Sequence, residues 1–387
     1  MKTPSQLESR VRAHLHTLGE GGLLRTQLAP FGIDLSSNDY LGLASHPAIK
    51  ARMIAAVQRD GCGSTGSRLL GGHRNAFEKV ERAFAAFKET ERALYFSSGY
   101  LANLAVLTTF VQPGDVILSD RLNHASLRDG IRLSFAKRMT FPHNDTAALA
   151  RRVESARGQG QVFVVTESLF SMDGDLSPLE TYAAICRATG ALLVVDEAHA
   201  VGTCGPTGSG LIAENGIADD VLVSINSAGK ALGVAGAFVT GPAWAIEYLA
   251  QRARPFLFST APPPAVADAI QASLTIVTEE PERRARLRRR AVFLRERLGD
   301  AGILVSHGDT PIIPIVIGEN DQAVAVADAL RADGFDVKAI RPPTVPSGTA
   351  RLRVTVNVHL TEVDLDRFAS RLAAVLKGQV PCLVASS

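Results

Sequence analysis

Ala191-Leu192-Leu193-Val194-Val195-Asp196-Glu197-Ala198-His199 decides the fold, because an unbroken apolar run ends abruptly in two acids and a histidine. A second stretch has the same form, with Val221-Leu222-Val223-Ser224-Ile225 leading into Ser227-Ala228-Gly229-Lys230. Short apolar runs of this kind read as strands buried on both faces, the pattern of a parallel sheet. In an open α/β sheet, neighbouring strands present their C-terminal ends to one crevice, which is where such folds bind ligands. Asp196, His199 and Lys230 are therefore expected to meet.

Working outward, strands and helices alternate. Strands are expected at 93–96, 116–119, 138–141, 161–166, 192–195, 221–225 and 235–240, with helices at 47–59, 77–88, 99–110 and 179–189. This alternation predicts an α/β fold, a mostly parallel sheet flanked by helices. After the break at Pro255–Pro264 a long helical stretch runs to about Gly299. Beyond it, strands at 312–317, 335–340 and 352–356 and helices at 322–332 and 362–376 predict a smaller α+β domain. The expected division is an N-terminal helix and arm over 1–36, a large domain over 37–275 and a small C-terminal domain over 276–387.

A chain of 387 residues exceeds one small core, roughly two domains at ~150 residues each. Lys+Arg 41 against Asp+Glu 39 gives a net charge of +2, so no global field attracts nucleic acid or a membrane. The run Arg283-Arg284-Ala285-Arg286-Leu287-Arg288-Arg289-Arg290 reads as a solvated helix face, with contact to an anionic substrate tail as the alternative. Cys62, Cys186, Cys204 and Cys382 form no C-x-x-C pair, which predicts free thiols in a reducing compartment and a cytoplasmic protein. Leu7, Val11, Leu15 and Leu18 recur at helical spacing, an amphipathic helix in place of a secretory apolar segment. No apolar run approaches the ~20 residues of a membrane span.

Gly61-Cys62-Gly63-Ser64-Thr65-Gly66 spells G-x-G-x-x-G, but a dinucleotide site needs a strand before it, and residues 48–57 read as helix. No G-x-S-x-G elbow is present for a serine hydrolase, and Asp196 with His199 are too few ligands for a metal. Ser97-Ser98-Gly99-Tyr100 closes one strand and opens a helix, whose N-terminal N–H groups suit a phosphate. Ser227 could add a hydroxyl to it. Asn123-His124-Ala125-Ser126 places a histidine where it could lie on a flat ring. Each of these motifs alone is an ordinary feature. Together, an acid, two histidines, a lysine and a phosphate cradle match the needs of pyridoxal 5'-phosphate (PLP). The lysine amine takes the cofactor's aldehyde, and a carboxylate keeps the pyridine nitrogen protonated so that the ring withdraws electrons.

With those residues in place, the chain resembles the α-oxoamine synthases, PLP enzymes of the fold type I (aspartate aminotransferase) superfamily. The resemblance covers nearly the whole chain. It rests on Ser36-Ser37-Asn38-Asp39-Tyr40-Leu41-Gly42, Asp120-Arg121-Leu122-Asn123-His124-Ala125-Ser126 and Thr166-Glu167-Ser168-Leu169-Phe170-Ser171-Met172-Asp173-Gly174-Asp175, then on Asp196–His199 and Lys230. It implies that Lys230 carries the cofactor, that Asp196 contacts the pyridine nitrogen and His199 the phenolic oxygen, and that His124 stacks on the ring. Ser98, Gly99, Tyr100 and Ser227 would hold the phosphate, with Ser259 and Thr260 reaching that of a partner subunit. Asn38, Glu167 and Ser171 match positions lining the site, Arg353 matches the residue that binds the amino-acid carboxylate, and Arg25 and Thr344 match substrate positions. The family implies a homodimer with an interfacial active site.

Within the family, Ile340-Arg341-Pro342-Pro343-Thr344-Val345-Pro346 and Ala350-Arg351-Leu352-Arg353 are most similar to members that condense L-alanine with pimeloyl-CoA or a pimeloyl carrier protein. A sister activity joining glycine to acetyl-CoA is the alternative. A non-catalytic partner subunit is a remote one, since such subunits lack the lysine found here at position 230.

Overall fold

The computed structural model describes residues 5–379, which fall into two compact units. One contains Asn38–Ser171 and Asp175–Ala285; the other contains the chain up to Ser37, Met172–Gly174 and the chain from Arg286 onward. Strand β1 is Ile33–Asp34. The next seven are β2 (Arg92–Phe96), β3 (Val116–Asp120), β4 (Lys137–Phe141), β5 (Val162–Glu167), β6 (Leu192–Asp196), β7 (Val221–Ser227) and β8 (Ala237–Gly241). The last four are β9 (Ile312–Gly318), β10 (Phe335–Asp336), β11 (Lys338–Ile340) and β12 (Ala350–Thr355).

Strands β2 to β8 form one sheet in the order β2-β8-β7-β6-β5-β3-β4. Only β8 runs against its neighbours; the remaining pairs are parallel. Both faces are buried. Phe163, Val165 and Val194 pack into one core cluster, while Val162, Val164, Leu193 and Val195, alternating with them, pack into another. This explains why the strands read as continuous apolar runs, and it is the α/β architecture expected from the sequence. Each fully buried Val or Leu contributes about 1.5–3 kcal/mol.

Several elements differ from the sequence reading. The stretch 264–299 is two helices, Pro264–Glu279 and Pro281–Asp300. Glu280 leaves the helical region at φ −114°, ψ 62°, because Pro281 lacks an N–H and crowds the residue before it. Helices at Ala125–Leu133, Thr146–Ala156 and Ala243–Arg252 had no counterpart in that reading. Residues 335–340 form two short strands, β10 pairing with β1 and β11 with β12.

The other unit holds an antiparallel sheet in the order β11-β12-β9, beside the parallel pair β1-β10. That pair ties Ile33–Asp34 to the C-terminal unit. The two units divide within helix Pro281–Asp300, at Ala285/Arg286. Helix Gln6–Glu20 is the expected amphipathic one, capped by Ser5, yet Leu7, Val11 and Leu15 on its apolar stripe are all exposed. Arg284, expected on a solvated face, is buried and donates to the carbonyls of Val277 and Pro206. A helix, Pro47–Asp60, precedes the glycine motif. Gly72 is required there by packing, since a Cβ would lie 1.9 Å from the Gly66 carbonyl oxygen. Cys62, Cys186 and Cys204 are free; Cys382 lies outside the described residues. No helix among the described residues is long and apolar enough to cross a membrane.

Candidate active site

The sheet register brings the candidate residues to one edge. Strand β5 ends on Glu167, which pairs with Asp196 at the end of β6; Asp196 is in turn level with Ile225 of β7. Ser227 at the end of β7 is level with Ala237, which is level with Phe96 at the end of β2. Ser98 follows Phe96 and caps helix Gly99–Phe110, its Oγ accepting from the Leu101 N–H at 3.3 Å. The amides of Gly99 and Tyr100 thus begin a helix at the crevice, where an anion is favoured by both free N–H groups and dipole.

Asp196 is 6% exposed. Its Oδ2 accepts from Asn103 Nδ2 at 2.7 Å and its Oδ1 from the Ala198 N–H at 2.9 Å. The other proton of Asn103 Nδ2 goes to Ser126 Oγ at 2.9 Å, and Ser126 Oγ lies 2.6 Å from His124 Nδ1. His124 Nδ1 also accepts from the Ser126 N–H at 3.2 Å. With Ser126 donating from both backbone and hydroxyl, His124 is a neutral imidazole carrying its proton on Nε2. One chain of hydrogen bonds thereby links Asp196 to His124 through two fully buried side chains, Asn103 and Ser126.

These groups share one electrostatic environment. Desolvation holds the His124 pKa below the usual histidine value; the Asp196 and Asp129 carboxylates oppose this and the Lys230 ammonium adds to it. Glu167 is pushed up to about 8 by burial first and the Asp196 carboxylate second, against Lys230 and the backbone N–H groups of His124 and Ser171. At neutral pH Glu167 therefore keeps its proton. His199 is 5% exposed, and its Nδ1 lies 2.6 Å from the Tyr40 hydroxyl, which donates to Asn38 Oδ1 at 3.1 Å. Ser171 is buried and donates its N–H to Glu167 Oε2 at 3.3 Å; Ser227 Oγ accepts from the Gly229 N–H at 3.2 Å.

The loops carrying His124 and Ser171 are tied together by His143. Its Nδ1 lies 3.0 Å from Asp120 Oδ1 and its Nε2 2.7 Å from Asp175 Oδ2. Burial alone would lower its pKa, but the two carboxylates outweigh this and raise it to about 10. The residue stays an imidazolium.

Asp196, Glu167, Ser227, Ser98, Gly99, Asn38, Ser171, His124, His199 and Lys230 all belong to the larger unit, as do Tyr100, Ser259 and Thr260. Tyr100 bonds Asp129 through its hydroxyl, leaving only its backbone for an anion. Ser259 is half-buried and Thr260 exposed, in the loop before helix Pro264–Glu279. In the other unit, Arg25 Nη2 donates to Thr344 Oγ1 at 3.3 Å. Arg353 is buried on β12 and donates to Thr355 Oγ1 at 2.9 Å.

Asn103 and His143 were not singled out from the sequence, and Tyr40 and Ser126 were quoted without a role. An asparagine inside an apolar helix is the one signal that could have marked Asn103, since a buried amide needs partners. The donor set fits PLP: an anion cradle, a buried carboxylate for a protonated ring nitrogen, an amine for an aldehyde and a neutral imidazole ring.

A family model for aminotransferase class I and II matches residues 31–372. The 8-amino-7-oxononanoate synthase of Geobacter sulfurreducens is 45% identical over 89% of this chain and 88% of that protein. Among solved structures, serine palmitoyltransferase from S. paucimobilis, with a PLP–myriocin adduct bound, superposes with a TM-score of 0.90 at 27% identity, covering 97% of this chain and 99% of that one. The 8-amino-7-oxononanoate synthase of Francisella tularensis gives a TM-score of 0.79 at 30% identity, covering 90% and 98%.

Proposed function

The chain belongs to the aminotransferase class I and II family, in its 8-amino-7-oxononanoate synthase branch, and from that premise we propose the reaction it performs. It condenses L-alanine with a pimeloyl thioester, on CoA or a carrier protein, to give 8-amino-7-oxononanoate, carbon dioxide and the free thiol, with PLP as cofactor, in biotin biosynthesis. The observation that carries this reading is the 45% identity, across nearly the whole chain, to enzymes of that name. The higher TM-score to serine palmitoyltransferase records a shared fold, which many activities use.

When bound, PLP supplies an electron sink for the charge left as alanine loses its Cα proton. Lys230 Nζ would hold the cofactor and, as a free amine, would take that proton. Asp196, which accepts from Asn103 Nδ2 and the Ala198 N–H, would hold a proton on the ring nitrogen. His124 offers a flat neutral ring, fixed by Ser126. His199, positioned by Tyr40 and Asn38, serves the phenolic oxygen. Ser98, Gly99, Tyr100 and Ser227 bind the phosphate, and Ser171 lines the site. Protonated Glu167 offers a donor to a substrate oxygen without adding a second charge beside Asp196. Arg353 takes the alanine carboxylate through its planar fork, and Arg25 and Thr344 bind the acyl substrate.

The exposed stripe of Leu7, Val11 and Leu15 supports a homodimer, in which Ser259 and Thr260 reach the partner's phosphate. The free thiols support a cytoplasmic location.

Thiol release, followed with a thiol reagent, tests the reaction. L-alanine with pimeloyl-CoA should release thiol fast, and glycine with acetyl-CoA or L-serine with palmitoyl-CoA slowly. Release confined to either of the latter pairs would overturn the substrate assignment and leave the family intact.

A further inference from the structure

Two loops carry candidate site residues without any strand or helix of their own: 121–124 after β3, ending on His124, and 168–177 after β5, with Ser171 inside it. A loop has no ladder to take up its backbone groups, so its shape depends on side chains that reach it from elsewhere. Here they come from a third segment, the turn at 142–145 after the edge strand β4, which the Asp145 N–H closes onto the Pro142 carbonyl at 3.1 Å.

His143 donates from Nδ1 to Asp120 Oδ1 at 3.0 Å and from Nε2 to Asp175 Oδ2 at 2.7 Å. Asn144 repeats the bridge. Its N–H donates to Asp120 Oδ2 at 3.0 Å, and its side-chain amide to Asp175 Oδ2 at 2.9 Å and the Leu176 carbonyl at 3.1 Å. It sits at φ 54°, in the left-handed region that asparagine tolerates better than most residues. The His143 ring also meets Phe170 edge to face, with centroids 4.4 Å apart at 88°.

Both acids are placed to pass this restraint on. Asp120 lies four residues before His124; its Oδ1 also takes the Leu122 N–H at 2.8 Å, and its carbonyl the Asn123 N–H at 3.2 Å. Asp175 lies four residues after Ser171; its carbonyl takes the N–H of buried Phe170 at 3.0 Å, and the next N–H, that of Ser171, goes to Glu167 Oε2. Only an imidazolium donates from both ring nitrogens, and a neutral ring would leave one acid without its donor. A brace that merely adds stability could join any two segments. This one joins the two loops that bear His124 and Ser171.

We propose that His143 is a positioning residue of the acyl-transfer site: acting through Asp120 and Asp175, it fixes the loop of His124 against the loop of Ser171, and so sets where the His124 ring stands relative to Ser171 and Glu167. This rests on the reaction proposed above and deepens it.

The test compares His143→Gln with His143→Gln/Asp175→Asn. The single variant leaves two carboxylates without their cation. In the double variant the glutamine Nε2 can donate to Asp120 while its Oε1 accepts from the new amide at position 175, which rebuilds the bridge without charge. In the PLP-loaded single variant, kcat with L-alanine and pimeloyl-CoA should fall at least about tenfold and KM for pimeloyl-CoA stay within about threefold, the result of misplaced groups rather than missing ones. The visible circular dichroism of bound PLP, which reports the asymmetric setting of its ring, should change. In the PLP-free protein, hydrogen exchange should quicken in residues 121–124 and 168–177 and keep its wild-type rate in β6 and β7. The double variant should bring kcat to within about threefold of wild type and restore the dichroism. A lower melting temperature at wild-type kcat and dichroism overturns the proposal and leaves a brace for stability. So does a double variant that regains neither. If His143→Gln does not fold, the double variant decides alone: wild-type kcat and dichroism support the role, and a loss of about tenfold or more overturns it. Should wild type release no thiol from this substrate pair, the reaction assignment fails, and dichroism and exchange still decide the role of His143.

Discussion

Asp196 takes its hydrogen bonds from Asn103 Nδ2 and the Ala198 N–H, neither of them charged. Glu197, the next residue, is ion-paired with Lys88 and accepts from the N–H groups of Leu211 and Ile212 at 2.7 and 3.0 Å. Both acids are buried, and each has a lysine in its surroundings. Lys88 is 4% exposed and also donates to the Ser209 carbonyl; Lys230 is half-buried in the loop after β7. The Glu197–Lys88 region is complete, with charge, hydrogen bonds and packing matched inside the protein. The Asp196–Lys230 region closes strands β6 and β7, where the donor set fits PLP. A satisfied buried pair holds the loop 205–212 in place, whereas a buried carboxylate held by neutral donors is placed to meet a cofactor.

The comparison can be broken most severely at Lys230. Lys230→Ala should lower turnover by at least about a thousandfold, since the same amine carries the cofactor and moves the proton; a rate within tenfold of wild type would remove it from the chemistry. Lys88→Met should act on stability instead. It leaves Glu197 buried and unpaired, and should cost about 3–5 kcal/mol of unfolding free energy by denaturant titration. A loss under about 1 kcal/mol would mean that the pair is not the brace described.

Glu167 gives a subtler contrast with its register neighbour Asp196. Its folded pKa, about 8, stands above its ordinary value of 4.5. Between those values the folded protein holds a proton that the unfolded chain has released, so stability is lost as pH rises through that window. Glu167→Gln should flatten the decline in melting temperature of the PLP-free protein between pH 5 and 8, whereas equal slopes would place the proton elsewhere. Smallest of all should be Ser126→Ala, which removes one hydroxyl from the chain between Asp196 and His124. A loss of roughly tenfold in kcat, with PLP still bound, is expected; unchanged kinetics would show that the backbone N–H alone fixes His124.

The strand ends were legible because a parallel sheet buries both faces, so its strands read as apolar runs and their first polar residues mark the crevice. Asp196, Lys230 and the Ser98 cap could be read this way. Asn103 and Ser126 could not, since what identifies them is a partner from a distant strand end or loop. Helix Ala125–Leu133 was missed because its cap is a histidine, Nδ1 of His124 accepting from Ser126, where a Ser, Thr, Asp or Asn is the usual signal. The His143 bridge was equally hidden. Its members come from the end of β3, the turn after β4 and the loop after β5, and only the order β5-β3-β4 brings them together. The conspicuous arginine run at 283–290 drew attention instead, although Arg284 within it is a buried structural residue.

The most direct test of the contrast between the two acids is thermal melting of Asp196→Asn and Glu197→Gln, each with and without PLP. A ligand that binds only the folded state raises its stability by RT ln(1 + [L]/Kd). Asp196→Asn should melt like wild type without PLP and lose most of the PLP-dependent gain. Glu197→Gln should melt lower without PLP and keep that gain. The reverse pattern would contradict the assignment of one acid to the cofactor and the other to the fold: Asp196→Asn keeping the gain, or Glu197→Gln losing it at an unchanged cofactor-free melting temperature.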